Sequence, residues 1–249
     1  LKWRKLARYN SSLVRTKIIK TPKISEKLAE FIGVYIGDGT LTPYYVKISG
    51  DYRYDLPYYS YLQKLVFDLF GISSKIVKDN RNNTVYLFIY SKRLCSFLKE
   101  NYGLNYGGKL KNNTLIPKKI LNVDNFFLAC LRGLIDTDGS VSRRGRNGEQ
   151  FTVTFFFCNE NLLRQVEMTS KKFGFFSFVS KDRNTIGTNK RENIINYFKI
   201  VGSSNMRHIV RFYERFFNNR TIYQREVLDY YQKSLYRDLE LPYLLAMVP

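Results

Sequence analysis

The chain has 249 residues, 44% of them hydrophobic, and a formal net charge of +20 from 41 Lys+Arg against 21 Asp+Glu. It is too apolar for a disordered chain and has the length for one large domain or two of about 100–150 residues, with no run of about 18 uncharged apolar residues to span a membrane. Three scattered cysteines (Cys95, Cys130, Cys158) and a single histidine, His208, exclude a structural zinc site and nuclease chemistry built on paired histidines, and they fit a reducing compartment.

So basic a balance is the electrostatic footprint of a nucleic-acid binder, because neutralised phosphates release condensed counterions. The bland alternative is a ribosomal, membrane-surface or plain basic protein. Residues 1–24 read as a basic arm: the first 27 residues hold nine basic groups and one acid, Glu26. They suit an organellar targeting segment, an arm along phosphates or a solvated tail.

The elements then recur in order. Residues 25–102 offer a helix (25–38), a strand (44–50), a helix (57–70), a hairpin (74–90) and a helix (91–102). Residues 103–122, rich in Asn, Lys and Gly, read as a linker. Residues 123–230 repeat the pattern with a helix (124–138), a strand (151–158), a helix (160–173), a hairpin (176–201) and a helix (203–218), leaving 231–249 as a C-terminal extension. Local matches hold the register: "FDLFGI" at 67–72 faces "KKFGFF" at 171–176. Alternation puts Val46 and Ile48 on one strand face and Tyr45, Lys47 and Ser49 on the other; Val153 and Phe155 oppose Gln150, Thr152 and Thr154. The polar faces suit groove binding or ordinary solvent exposure.

The two long helices carry the chemistry. "GVYIGDGT" (33–40) and "GLIDTDGS" (133–140) each end on an aspartate before a glycine. Small residues sit four apart, at Ala29, Gly33 and Gly37 and at Ala129, Gly133 and Thr137, so each helix owns a stripe without bulk. The stripes predict that the two helices pack on each other, bringing Asp38 and Asp138 together, with Gly39 and Gly139 as left-handed helix ends. A helix C-terminus disfavours an anion by about 0.3–1 kcal/mol. Two carboxylates with the free carbonyls of Gly37 and Thr137 make a hard-oxygen cluster suited to Mg²⁺, with Mn²⁺ or Ca²⁺ as substitutes.

"FIGVYIGDG" (31–39) and "LRGLIDTDG" (131–139) resemble the paired motifs of LAGLIDADG homing endonucleases in the single-chain, two-repeat form, and the element order is similar from about 25 to 230. The resemblance implies an α+β fold: a duplicated αββαββα saddle, pseudo-twofold, with two antiparallel sheets gripping double-stranded DNA as a monomer. It implies an intracellular, intron-encoded enzyme, organellar (mitochondrial) or cytoplasmic, that hydrolyses one phosphodiester per strand and leaves 3′ overhangs. The family's metal-binding acids match Asp38 and Asp138; Asp136, opposite Ile36 in the first repeat, is a polar accessory. Where the family places polar and basic groups after the first long strand, this chain has Gly50-Asp51 and Cys158-Asn159. Lys109 and Arg225 are the candidates for the basic role.

Hairpin tips and polar sheet faces supply the expected DNA contacts: Tyr45, Lys47, Ser49, Lys78, Arg81, Arg143, Arg144, Arg146, Gln150, Thr152, Thr154, Lys181, Arg183, Lys190 and Arg191. The halves differ, so the target is expected to be asymmetric and to cover about two duplex turns of ~34 Å each. Two competitors share the fold: a maturase binding intron RNA, and a non-cleaving DNA-binding regulator, which is expected to lose one of the acids. No splicing domain is apparent around the duplicated unit, so an intein is disfavoured.

Overall fold

Helix α1 (Glu26–Asp38) begins where the Ser25 hydroxyl accepts the Leu28 amide at 3.3 Å, satisfying a donor that every helix start leaves free. From Leu28 to Gly37 every residue is buried, so α1 is a core helix. It leads into β1 (Gly39–Leu41), β2 (Tyr45–Asp51), α2 (Tyr52–Phe70), β3 (Lys75–Asp79), β4 (Thr84–Tyr90) and α3 (Lys92–Tyr102). A short helix, α4 (Lys118–Leu121), precedes the second unit: α5 (Asp124–Asp138), β5 (Gly139–Arg144), β6 (Gln150–Phe156), α6 (Glu160–Ser170), β7 (Phe178–Val179), β8 (Thr185–Thr188) and α7 (Arg191–Ile200). Helices α8 (Met206–Phe216) and α9 (Val227–Gln232) follow. The computed structural model describes residues 18–144, 150–182 and 184–232.

Both units are αββαββα, and both sheets are four-stranded, antiparallel and identically ordered, β1-β2-β4-β3 and β5-β6-β8-β7. The strand that alternation missed in each half is the one leaving the long helix. Residues 52–56, ahead of the helix start expected at 57, already belong to α2. The Asp51 side chain accepts the Arg53 amide at 3.0 Å and starts that helix before Pro57, the residue that suggests a later start.

Residues 191–200 form α7 rather than part of a hairpin. Their buried Ile194, Tyr197 and Phe198 follow a helical spacing, and α8 is an addition beyond the repeat. Gly39 and Gly139 are not left-handed: φ is −82° at both, and the chain passes straight from helix to strand. Glycine is needed there because a Cβ would stand 2.4 Å from the Tyr35 carbonyl oxygen or 2.5 Å from that of Ile135.

The expected helix pairing holds the halves together. A Cβ on Gly33 would lie 1.9 Å from the Cys130 carbonyl oxygen, and one on Gly133 would lie 2.2 Å from that of Glu30. The contact is reciprocal: each glycine receives the other helix's backbone, as small residues permit. Ala29 and Ala129 are buried on the same stripes, and one hydrophobic core runs through both units.

Beside this crossing lies a buried polar network. Glu30 accepts Tyr61 and Ser204 hydroxyls, each at 2.7 Å, and Nε and Nη2 of Arg132 at 3.1 and 2.7 Å. A buried carboxylate stripped of its cation is destabilised by about 3–5 kcal/mol, whereas neutralising both partners costs far less.

Substituting Gly33→Ala or Gly133→Ala drives a methyl into a backbone that cannot yield. Thermal unfolding should show a loss of about 3 kcal/mol or more, while Gly108→Ala, whose Cβ would meet only the Lys111 side chain at 4.0 Å, leaves the midpoint in place. Arg132→Met should destabilise strongly, and adding Glu30→Gln should restore most of the loss; additive losses would mean that the pair carries no coupling.

Candidate functional site

Helices α1 and α5 stay in contact to their ends. A Cβ on Gly37 would sit 2.0 Å from Thr137 Oγ1 and 3.6 Å from the carboxyl carbon of Asp138. Glycine on one helix thus makes room for threonine on the other, and Asp38 and Asp138 meet at the shared end. Burial, then the charge of Asp138, raises Asp38 to about 7, while Lys109 pulls the other way. Asp138 is also raised by burial and is eased by Lys109 and by a hydrogen bond from Asp38. The pair as a whole therefore holds a proton more tightly than an ordinary carboxylate does, chiefly because it is buried.

Lys109 reaches the pair from the linker. The Gly107 amide donates to the Leu41 carbonyl at 3.1 Å, docking the linker on the edge of β1; Gly107 has φ 94°, a conformation suited to glycine. The ammonium then donates to the carbonyls of Ile36, at 2.9 Å, and of Gly37. Burial lowers its pKa, against the pull of both aspartates. The Gly37 carbonyl, expected to face a metal, is engaged by Lys109 instead. The Thr137 hydroxyl is turned back onto its own helix, donating to the Gly133 and Leu134 carbonyls at 3.0 Å each. Among the described residues no cluster of three or more His, Cys, Asp or Glu could hold a metal. The donors that fit a hard divalent cation are the two carboxylates: they repel when both are ionised, and a cation can take the place of their shared proton.

A cavity of about 300 Å³ opens beside Asp138, with Lys109, Thr114, Cys158 and Asn159 in its wall. Asn159 is partly committed, capping α6 and donating to the Thr114 carbonyl at 3.2 Å. On the Asp38 side stands a group that the sequence reading missed. Asp55 accepts the Asp51 amide at 3.1 Å and the Asn205 side-chain amide at 3.2 Å, and it pairs with Arg207 at 3.2 Å. Asn205 also donates to the Asp136 carbonyl at 3.0 Å, matching in the second repeat what Lys109 does at Ile36. Arg225, the other basic candidate, is exposed in a short 3-10 turn with its guanidinium over the Tyr223 ring at 5.5 Å. Lys109 and Arg207 each follow a left-handed glycine that ends a helix region, Gly103 and Gly202, a correspondence visible only once α7 is placed.

Asp136 is buried and faces away from the acid pair. It accepts the Ser203 hydroxyl and, at 2.6 Å, the Ser204 amide, and its Oδ1 lies 3.3 Å from His208 Nδ1. His208 contributes a neutral hydrogen bond rather than an ion pair, since burial and then Arg207 and Arg211 hold its pKa well below normal. Burial raises Asp136 to about 6 against the Ser203 and Ser204 bonds.

The expected DNA contacts divide. Tyr45, Lys47 and Ser49 lie half-buried on the outward face of the first sheet, and Lys78 is exposed on edge strand β3. Arg81 is exposed in the β3–β4 turn and Lys181 in the β7–β8 turn. Gln150 is exposed at the start of β6, but Thr152 and Thr154 are only 3% exposed, so the alternation assigns their face and not their access. Lys190 and Arg191 belong to the start of α7, and the Arg191 guanidinium lies over Phe216 at 4.9 Å. Arg143 and Arg144 are in β5. Arg146 and Arg183 lie outside the described residues. No described helix is long and apolar enough to cross a membrane.

A duplicated αββαββα fold whose paired glycine helices end on two aspartates defines a LAGLIDADG-type protein. Residues 125–216, most of the second repeat, match the family described as the LAGLIDADG-like domain, and the first repeat carries the same sheet order. It is 28% identical over 235 residues to an A-type ATP synthase subunit from Pyrococcus abyssi, covering 92% of this chain and 21% of that one. With Replication factor C small subunit of Methanocaldococcus jannaschii it shares 27% over 187 residues, 74% of this chain and 9% of the relative. The chain thus spans about a tenth to a fifth of these relatives. Full-length DUF199/WhiA from Thermatoga maritima shares the fold at TM-score 0.50 and 14% identity, covering 88% of this chain and 70% of that one. A structure of I-DmoI in complex with DNA and Mn aligns at TM-score 0.48 and 17% identity, covering 73% and 98%.

The raised Asp38 sets a testable sign. Its ionisation opposes folding: the penalty is absent below the ordinary value of 3.8 and complete above about 7. Asp38→Asn should therefore raise the Tm of the metal-free protein, by more at about pH 8 than at about pH 5. An equal gain at both values would refute the raised carboxyl.

Proposed function

We propose that this protein is a divalent-metal-dependent endonuclease acting on double-stranded DNA, cutting one phosphodiester on each strand of a long asymmetric site and leaving 3′ overhangs. The observation that carries the reading is the acid pair at the joined ends of α1 and α5, with Lys109 between the helix end and the cavity beside Asp138. Asp38 and Asp138 would hold Mg²⁺, or Mn²⁺ or Ca²⁺ in its place. A cation bound there supplies a water of lowered pKa and positive charge at the leaving oxygen.

The residues of the chain do the rest. Releasing the shared proton frees both carboxylates for the cation, so metal affinity should rise with pH up to the raised Asp38 value of about 7. Lys109 is placed to offer a positive donor to a phosphate oxygen in the cavity beside Asp138. Arg207 is the corresponding cation near Asp38, held by Asp55. The net charge of +20 and the exposed Lys78, Arg81 and Lys181 supply sequence-independent attraction to phosphates. The small share of the curated relatives that the chain covers supports a module that also resides inside longer chains.

Cleavage of a partially randomised duplex library with Mg²⁺, followed by sequencing of the cut ends, tests the reading directly. Asp38→Asn and Asp138→Asn should each abolish cutting while leaving Ca²⁺-supported DNA binding within a few-fold. Lys109→Met should slow cutting by about 10²-fold or more, as removal of a charge-stabilising donor does. No cutting of any duplex with Mg²⁺ or Mn²⁺ would favour the non-cleaving regulator, or the maturase if intron RNA is bound.

A further inference from the structure

Tyr59, on α2, is 2% exposed, and its hydroxyl is buried with no hydrogen-bond partner among the described residues. A hydroxyl so placed has given up its hydration without replacing it, which marks either strain or a donor kept for an acceptor that arrives later. Its surroundings decide between the two. The hydroxyl fills the space that Gly50 leaves open: a Cβ on Gly50 would stand 2.8 Å from the Tyr59 Oη. Gly50 follows the first long strand, where the family pattern calls for a polar or basic side chain, and α2 brings a phenol there instead. Asp38 is the charge that acts most strongly on this phenol, followed by Asp55 and Arg207. Burial and the two carboxylates hold its pKa far above normal, so it keeps its proton at any working pH.

Nε of Arg207 is a second buried donor without a partner, on a guanidinium whose Nη1 pairs with Asp55. Two unused donors thus stand on the Asp38 side of the acid pair. The second repeat is built differently. Tyr59 stands as far before the left-handed Gly71 as Leu162 does before the left-handed Gly174, and Leu162 is an apolar part of the cavity wall beside Asp138. The linker's ammonium, Lys109, serves that cavity, whereas a phenol from α2 serves Asp38. Asp38 is here hydrogen-bonded to Asp138 and not to Tyr59. A carboxylate drawn onto a cation keeps a second oxygen for a donor of this kind, and such donors orient the ligand.

We infer that Tyr59 is a positioning residue for Asp38: its hydroxyl donates to the Asp38 carboxylate when that carboxylate holds a divalent cation. The role rests on the metal-dependent reading above and belongs to one half of the site only. The test uses the whole chain with Ca²⁺ alone, reading the concentration that gives half of the full rise in Tm. Tyr59→Phe removes only the hydroxyl. It should leave the metal-free Tm unchanged or higher, because an unpartnered polar group is lost, and raise the Ca²⁺ requirement by about 10-fold or more. Tyr58→Phe removes a neighbouring buried hydroxyl that faces Asp136 and Glu30, and should leave that requirement within about twofold. In cutting with Mg²⁺, Tyr59→Phe should slow one strand more than the other, so that nicked duplex accumulates while KM for the duplex stays the same.

An unchanged Ca²⁺ requirement in Tyr59→Phe would overturn the role. So would an equal shift in both variants, which would make the packing of α2 the cause. A parent chain that responds to Ca²⁺ but cuts no duplex would sink the nuclease reading and leave the role of Tyr59 standing. A parent chain whose Tm ignores Ca²⁺ would overturn both.

Discussion

Two peptide backbones in direct contact set the geometry of this molecule. Where α1 meets α5, Gly33 lies against the Cys130 carbonyl and Gly133 against that of Glu30, with no room for a single methyl on either side. Side chains could hold helices at ordinary spacing, but their ends would then lie too far apart for two short aspartates to share a proton. Glycine in a helix costs about 1 kcal/mol each relative to alanine. That cost is offset by burial of nearly the whole of α1 and by one core common to both repeats.

The acid pair follows from that contact, and so does its discomfort. Two carboxylates at helix C-termini sit where carbonyl dipoles already point, partly removed from water. The chain relieves them with a shared proton and with Lys109 on the carbonyls behind them. The site is strained toward positive charge, which is the electrostatic condition for drawing in a cation and a phosphate together. Behind it, Asp136 has become structural, tied to the loop between α7 and α8 through Ser203, Ser204 and His208.

The sequence made the duplication, the paired helices and Asp38 and Asp138 legible because each rests on short-range spacing. Four-residue intervals of small residues report a helix face, and alternation reports the strand faces at Val46 and Ile48. What was not legible depends on contacts far apart along the chain. Arg207 is positioned by Asp55 of the other repeat, and burial of Thr152 and Thr154 depends on neighbouring strands. Helix α7 was hidden because it follows directly on a short hairpin and its β-branched and aromatic residues, Ile194, Ile195, Tyr197 and Phe198, read equally well as a strand. Strand β1, only Gly39–Leu41, is too short for alternation to register.

The pairing of Glu30 with Arg132 makes the two repeats non-interchangeable. Counting back from each terminal aspartate, Glu30 corresponds to Cys130, and Arg132 to Ile32. Two copies of the first repeat would bury two carboxylates with no cation between them, and two copies of the second would bury two guanidinium groups with no anion. Only the mixed pair is neutral at the crossing, and both partners are supplied by one polypeptide. Charge balance at this one crossing thus locks in the divergence of the halves: neither repeat could pair with a second copy of itself without leaving like charges facing each other.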